Sequence, residues 1–192
     1  MPTDLALETK KILALRGAKR SEETTRLVEN ALQSKWEGIQ SAGLRVLGAW
    51  NDAEAKARIR KFLNECFARE YGWSIRGVAV EELSHCVNAD DSDWILDLYF
   101  SQLTRLEKHE LLPMVLALPP ASARERLTDE SSSENSSNRQ AAMKAIANLH
   151  FDDKAALLRV FLDDPDPDIR KGAEWNIKRL AVAGSDNWRG AI

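Results

Sequence analysis

A nine-residue pattern that returns along the chain constrains its fold more than any other feature. The pattern Ile-Arg-x-x-Ala-x-x-x-(Ile/Leu) starts at Ile75 and at Ile169, and weaker copies start at Ile39 and Asn138. Its apolar positions are four residues apart, which places them on one face of an α-helix. The copies begin 36, 63 and 31 residues apart (39 to 75, 75 to 138 and 138 to 169), so the middle interval has room for one degenerate unit. A period of about 30 to 40 residues predicts a helical solenoid of stacked helix pairs.

The copy that starts at Ile169 follows a turn rich in aspartate and proline, DDPDPD at 163–168. Proline restricts the residue before it to extended backbone, so Asp166 can cap a helix whose first residue is Pro167. A second amphipathic helix is expected just upstream, over 153–163. Only about three residues separate the two helices, which predicts an antiparallel hairpin.

The segment Asp164-Pro165-Asp166-x-x-Ile169-Arg170-x-x-Ala173 resembles the core of a HEAT repeat. The resemblance implies an all-α chain, a single right-handed α-solenoid of about five HEAT-like helix pairs over residues 1–192. It also implies that the turn aspartate pairs with the arginine six positions later, here Asp164 with Arg170. The matching turn positions of the other copies hold Ser34, Glu70 and Ser133, of which Glu70 is placed to serve Arg76.

Periodicity predicts eleven helices joined by short polar connections. They are expected at residues 4–16, 20–33, 35–50, 53–70, 73–87, 91–107, 109–118, 121–129, 138–149, 153–163 and 167–182. One stretch, about 113–137, is expected to be irregular. Pro113 should interrupt its helix. The segment SSSENSSN at 131–138 is expected to be a solvated loop before a helix that starts at Asn138, either a binding loop or a connection without a binding role.

Composition narrows the classes of protein that this chain can represent. The formal net charge of −3 argues against binding a polyanion through bulk electrostatics, so any nucleic-acid surface would be a local patch. We find no run of about 18 apolar residues that could span a membrane. The first residues read as an amphipathic helix, not a signal peptide, and Cys66 and Cys86 do not suggest a disulfide framework. We therefore expect a cytoplasmic protein that does not associate with a membrane.

No catalytic constellation, metal site or cofactor motif emerges from the sequence. Cys66, His85 and Cys86 lack the spacing of zinc ligands, and we expect buried thiols and a surface histidine instead. The chain also lacks GxSxG and Gly-rich phosphate loops. An acidic run is interpreted either as solvated surface or as a docking face for a basic partner; it contains Glu81, Glu82, Asp90, Asp91, Asp93 and Asp97.

Trp175 lies off the apolar face of its helix and among cations. Lys171 and Arg179 flank it at i−4 and i+4, and Lys178 is nearby. An exposed aromatic ring among cations is typical of binding hot spots and of nucleic-acid contact surfaces. The alternative is that Trp175 packs beneath the C-terminal tail, together with Trp188.

Basic residues recur on the second helix of each pair and in the segment KARIRKF at 56–62. In the HEAT family the second helices line the concave surface, so the resemblance implies a basic stripe that could hold acidic peptides or phosphates. The alternative is that the arginines pair with turn carboxylates and the lysines are solvated. The second-helix set comprises Arg76, Arg139, Lys144, Arg170, Lys171 and Lys178.

A non-catalytic protein-binding scaffold or adaptor is the first functional hypothesis, since a solenoid offers an extended rigid surface. Its partner is expected to be a protein with an acidic surface, contacted by Arg139, Lys144, Lys171, Trp175 and Lys178. The main alternative is a HEAT-like DNA glycosylase or another nucleic-acid-binding repeat protein, for which Glu174 beside Trp175 is the local carboxylate. A HEAT-like lyase, or a chaperone for a cofactor-bearing protein, is a third hypothesis.

Overall fold

The computed structural model describes residues 2–68, 73–102 and 104–186 and shows an all-α fold, with no strand among these residues. No described helix is both long and apolar enough to cross a membrane. Short 3₁₀ segments occupy Ala14–Gly17, Ala89–Asp91 and Val160–Asp163. The α-helices are α1 (Pro2–Leu13), α2 (Glu22–Leu32), α3 (Glu37–Trp50), α4 (Ala53–Ala68), α5 (Trp73–Ser84), α6 (Ser92–Ser101), α7 (Arg105–Ala117), α8 (Pro120–Glu130), α9 (Ser136–Asn148), α10 (Lys154–Arg159) and α11 (Pro167–Asp186).

The chain divides into two compact units, Met1–Val87 and Asn88–Ile192. In the first unit, α3 packs against α1, α2, α4 and α5, and its buried residues include Leu44 and Leu47. In the second unit, α9 has the same central place, with α7, α8, α10 and α11 around it. Its buried residues include Ala142 and Ile146. Each unit therefore has one inner helix whose apolar and small side chains fill the core.

Helix boundaries follow local capping chemistry. Ser21 caps α2 and Thr104 caps α7, each in a reciprocal box with the side chain three residues later. The box at Thr104 explains why the helix expected over 91–107 is divided: α6 ends at Ser101 and a new helix begins at Arg105. Asn135 caps α9, which consequently starts at Ser136 and not at Asn138 as expected.

The stretch 113–137, expected to be irregular, is helical over most of its length. Pro113 lies inside α7, and Pro120 occupies the first position of α8. A proline inside a helix removes the hydrogen bond to the carbonyl four residues earlier, here that of His109. Both Pro113 and His109 are exposed, so water can solvate that carbonyl and the helix continues.

One position in each of α7, α9 and α11 donates hydrogen bonds to the turn that precedes its helix. Lys108 donates to Gln102 O and, at 3.0 Å, to Phe100 O. Arg139 donates to Ser133 O at 2.9 Å, and Arg170 donates to Asp164 O at 2.5 Å. These donors are 31 residues apart (108 to 139, 139 to 170), and each reaches a carbonyl six residues earlier.

Candidate functional site

The exposed face of α11 brings together three of the residues that the sequence analysis singled out. Lys171, Trp175 and Lys178, together with Val182, lie at i, i+4, i+7 and i+11 and span about 60° of the helix circumference. We call these four residues the α11 stripe. Ile169 and Ala173 are buried in the core of the unit.

Trp175 is exposed to an unusual degree for its residue type. Its relative exposure is 59%, and that of Val182 is 61%. The Arg179 guanidinium lies 4.8 Å from the centroid of the indole ring, which is cation–π distance. Glu174 is the one acidic residue in the sequence between Lys171 and Val182; it is exposed and lies at the edge of the stripe, three residues after Lys171 and four before Lys178. Trp188, proposed as a cover for Trp175, lies outside the described residues.

Arg139 does not belong to this surface, because its guanidinium is bound by a carboxylate. Its Nε and Nη2 atoms lie 2.7 Å and 3.0 Å from the Asp164 carboxylate oxygens. The side chains are only 11% and 3% exposed. Hydrogen bonding to Arg139 lowers the pKa of Asp164, and the same bonds raise the pKa of Arg139.

The turn pair expected between Asp164 and Arg170 is made through different atoms. Arg170 donates to the main-chain carbonyls of Asp164 and Pro165, while Arg139 binds the Asp164 carboxylate. The resemblance predicts the pair within one helix hairpin, whereas the residue that binds the Asp164 carboxylate lies 25 residues earlier, on α9.

Two other basic residues from the sequence analysis contact neighbouring side chains in the first unit. Arg76 is buried, with its guanidinium 4.9 Å from the centroid of the Phe67 ring. Arg58 of the KARIRKF segment pairs with Glu29 and, at 2.7 Å, with Glu54. Glu70, the expected partner of Arg76, lies outside the described residues.

Lys144 lies apart from the α11 stripe, on α9. It is half-buried and lines a notch between α7 and α9 that also includes Arg105, His109 and Gln140. Sequence reasoning missed Arg105 and His109 because it did not recognise α7 as a copy of the nine-residue pattern. The signal was present in the spacing: His109, Gln140 and Lys171 are 31 residues apart, as are Lys144 and Trp175.

The described residues offer no group of three or more His, Cys, Asp or Glu side chains placed to hold a metal ion. Cys66 is buried, and burial raises the pKa of its thiol to about 11. Such a thiol stays protonated near neutral pH and is a poor nucleophile.

No protein-family model matches the sequence, and no curated protein matches it significantly. The physical character of the α11 stripe therefore carries the functional inference.

Proposed function

We propose that this chain is a non-catalytic protein-binding scaffold that holds an acidic partner on the α11 stripe. The observation that carries the proposal is the exposure of Trp175 between Lys171 and Lys178, with Arg179 stacked on its ring. Tryptophan supplies much of the free energy at protein interfaces when a partner covers it. The flanking cations would steer an acidic partner toward the stripe and disfavour a basic one.

The architecture we propose is a HEAT-like, right-handed solenoid of about five helix pairs. The hydrogen-bond donors that recur every 31 residues in α7, α9 and α11 support this architecture. Lys108 occupies in α7 the position that arginine occupies in the other two helices. Gln40 holds the corresponding place in α3 and donates to Leu32 O at 3.2 Å. The free thiols of Cys66 and Cys86 are compatible with a reducing cytoplasm, where we place the protein.

Nucleic acid is the second candidate ligand, because a tryptophan among cations also suits stacking on bases. The formal net charge of −3 disfavours it. A glycosylase would also need a carboxylate beside the aromatic ring. Glu174 is adjacent to Trp175 in sequence, but successive helical residues point about 100° apart.

The experiment is a pull-down from the native host with tagged full-length protein, with and without nuclease, read by mass spectrometry. Two α11 variants are compared with wild type: Trp175→Ala, and the double variant Lys171→Glu/Lys178→Glu. The matched control is Lys19→Glu/Lys35→Glu, which makes the same charge change at exposed sites in the first unit, one of them stacked on exposed Trp36.

The proposal expects a protein that is captured regardless of nuclease and reduced at least about tenfold in both α11 variants, as for an interface hot spot. The control should capture it normally, and all variants should melt like wild type. Equal capture by every variant would overturn the proposal, and recovery of nucleic acid alone would favour the second candidate.

A further inference from the structure

The notch between α7 and α9 has the character of an anion site. It is small, with an interior volume of about 10 Å³, which is room for about one water, so a larger ligand would lie outside it. Arg105 and His109 of α7 and Gln140 and Lys144 of α9 line it, and no aspartate or glutamate is among its described lining residues. Two permanent cations thus face a space without a lining carboxylate.

The carboxylates nearest to the notch are engaged in bonds of their own. Glu107 accepts hydrogen bonds from the backbone N–H and hydroxyl of Thr104 in the α7 capping box. Glu130 accepts from Asn138 at 2.9 Å and pairs with Arg126 at 3.2 Å. Asp166 differs, because it pairs with Arg105 itself at 3.5 Å, so a ligand would share that guanidinium with Asp166.

The floor of the notch is closed, so a ligand would lie at its mouth. Buried Tyr99 donates its hydroxyl to Ala141 O, and the ammonium of Lys108 is held by main-chain carbonyls. Ser137 also lines the notch, and its hydroxyl is buried without a hydrogen-bond partner. A buried hydroxyl without a partner is unfavourable, so the notch retains one unsatisfied polar group.

We infer that this notch binds a phosphate group carried by the partner that the α11 stripe holds. A phosphomonoester carries about −1.5 to −2 charges and three acceptor oxygens, which suits Arg105, Lys144 and neighbouring neutral donors better than a single carboxylate does. The inference rests on the proposed function for the carrier of the phosphate, but phosphate binding itself can be measured without the partner.

The notch and the α11 stripe are close enough to serve one partner. Helix α9 packs directly against both α7 and α11. Lys144 occupies on α9 the position that Trp175 occupies on α11, and Gln140 corresponds in the same way to Lys171. These equivalent positions lie on neighbouring helices of the same unit, since α9 packs against α11.

The test is an NMR titration of the ¹⁵N-labelled full chain at pH 7 and constant ionic strength, with inorganic phosphate, phosphoserine and chloride in parallel. We expect saturable shifts confined to amides near 105–109 and 137–144, with a Kd on the order of a few millimolar for both phosphate compounds. Lys144→Gln and Arg105→Gln should each weaken binding about tenfold, the effect of losing a charge-assisted bond. Lys144→Arg should keep binding, and Lys19→Gln in the first unit should change nothing.

Three results would overturn the inference: shifts that chloride reproduces, shifts centred on Lys171 and Lys178, or binding that survives Lys144→Gln. Binding of inorganic phosphate with exclusion of phosphoserine would refute a partner-borne group. Equal partner capture by wild type and the α11 variants, with phosphate binding intact, would show that the proposed function has failed. Reduced capture by the α11 variants, with no phosphate binding to the notch, would show that the phosphate inference has failed.

Discussion

Replacing Arg139 with methionine tests how much a basic second-helix residue contributes to the stability of the fold. Arg139 donates four hydrogen bonds: two to the Asp164 carboxylate, one to Ser133 O and one to Glu134 O. Methionine keeps much of the side-chain volume but leaves the Asp164 carboxylate, 3% exposed, without the guanidinium that hydrogen-bonds to it, with Arg170 as the remaining nearby cation. The backbone N–H of Asp166, at 2.8 Å, still donates to that carboxylate.

Breaking a buried ion pair by removing one partner lowers the free energy of unfolding by about 3 to 5 kcal/mol. We expect about 3 kcal/mol, at the lower end of that range, because the Arg139 side chain keeps some contact with water. For a chain of this length the melting temperature should fall by roughly 6 to 12 °C. Urea unfolding followed by circular dichroism gives the free energy, and hydrogen exchange should show the lost protection in α9 and α11.

The chain provides a matched control in the pair of Arg124 with Asp153. It is also bidentate and also joins residues far apart in sequence, but its side chains are 44% and 45% exposed. Exposed ion pairs contribute little to stability, so Arg124→Met should melt like wild type. The reasoning is refuted if Arg139→Met costs less than about 1 kcal/mol, or if Arg124→Met destabilises as much.

The other stability predictions concern two carboxylates and two glycines. Because the pKa of Asp164 is lowered from 3.8, its carboxylate stabilises the fold above that pH, and the contribution is lost as the pH falls through the lower folded value. Urea titrations should therefore show a constant difference in stability between wild type and Asp164→Asn above about pH 5, and a shrinking difference as the pH falls below 3.8. Burial raises the pKa of Glu82 above 4.5, so its contribution to stability is lost as the pH rises from 4.5 through the folded value. Glu82→Gln should be more stable than wild type at pH 7 and equal to it below about pH 4.5; greater stability of wild type at pH 7 would contradict this account. A Cβ on Gly43 would lie 3.2 Å from the Ala31 Cβ, whereas one on exposed Gly77 would meet nothing within 4 Å. Calorimetry should show Gly77→Ala stabilised by about 0.5–1 kcal/mol and Gly43→Ala destabilised, and equal effects would count against tight packing of α2 on α3.

Local patterns in the sequence predict most of the helices. The apolar spacing and the Asp-Pro turn before Pro167 predict the start of α11 correctly, since helix capping depends on residues only a few positions apart, although the helix extends to Asp186 and not only to 182. The division between α6 and α7 was missed because Thr104 and Glu107 form a capping box inside an otherwise helical pattern. The expectation that Pro113 interrupts its helix was wrong, because solvent compensates for the hydrogen bond that proline removes.

The candidate site is harder to predict because it depends on contacts between helices. No spacing rule indicates that Asp164 binds Arg139 rather than Arg170, so the sequence alone left open whether Arg139 is available to a partner or paired with a turn carboxylate. Trp175 could be singled out because its position on the helix places it off the apolar face. Lys108 was missed because lysine replaces the arginine of the pattern, although its spacing to Arg139 is the same as that from Arg139 to Arg170.

The central claim, that the α11 stripe contacts a protein partner, is tested most directly by site-specific photo-crosslinking. Photoreactive benzoylphenylalanine would replace Lys178 in one protein and Lys35, beside exposed Trp36, in another. Both would be expressed in the native host and irradiated, and the adducts identified by mass spectrometry. The account predicts a discrete protein adduct from position 178, absent from position 35 and lost when Trp175→Ala is added. No adduct at position 178, or the same adduct from both positions, would contradict it.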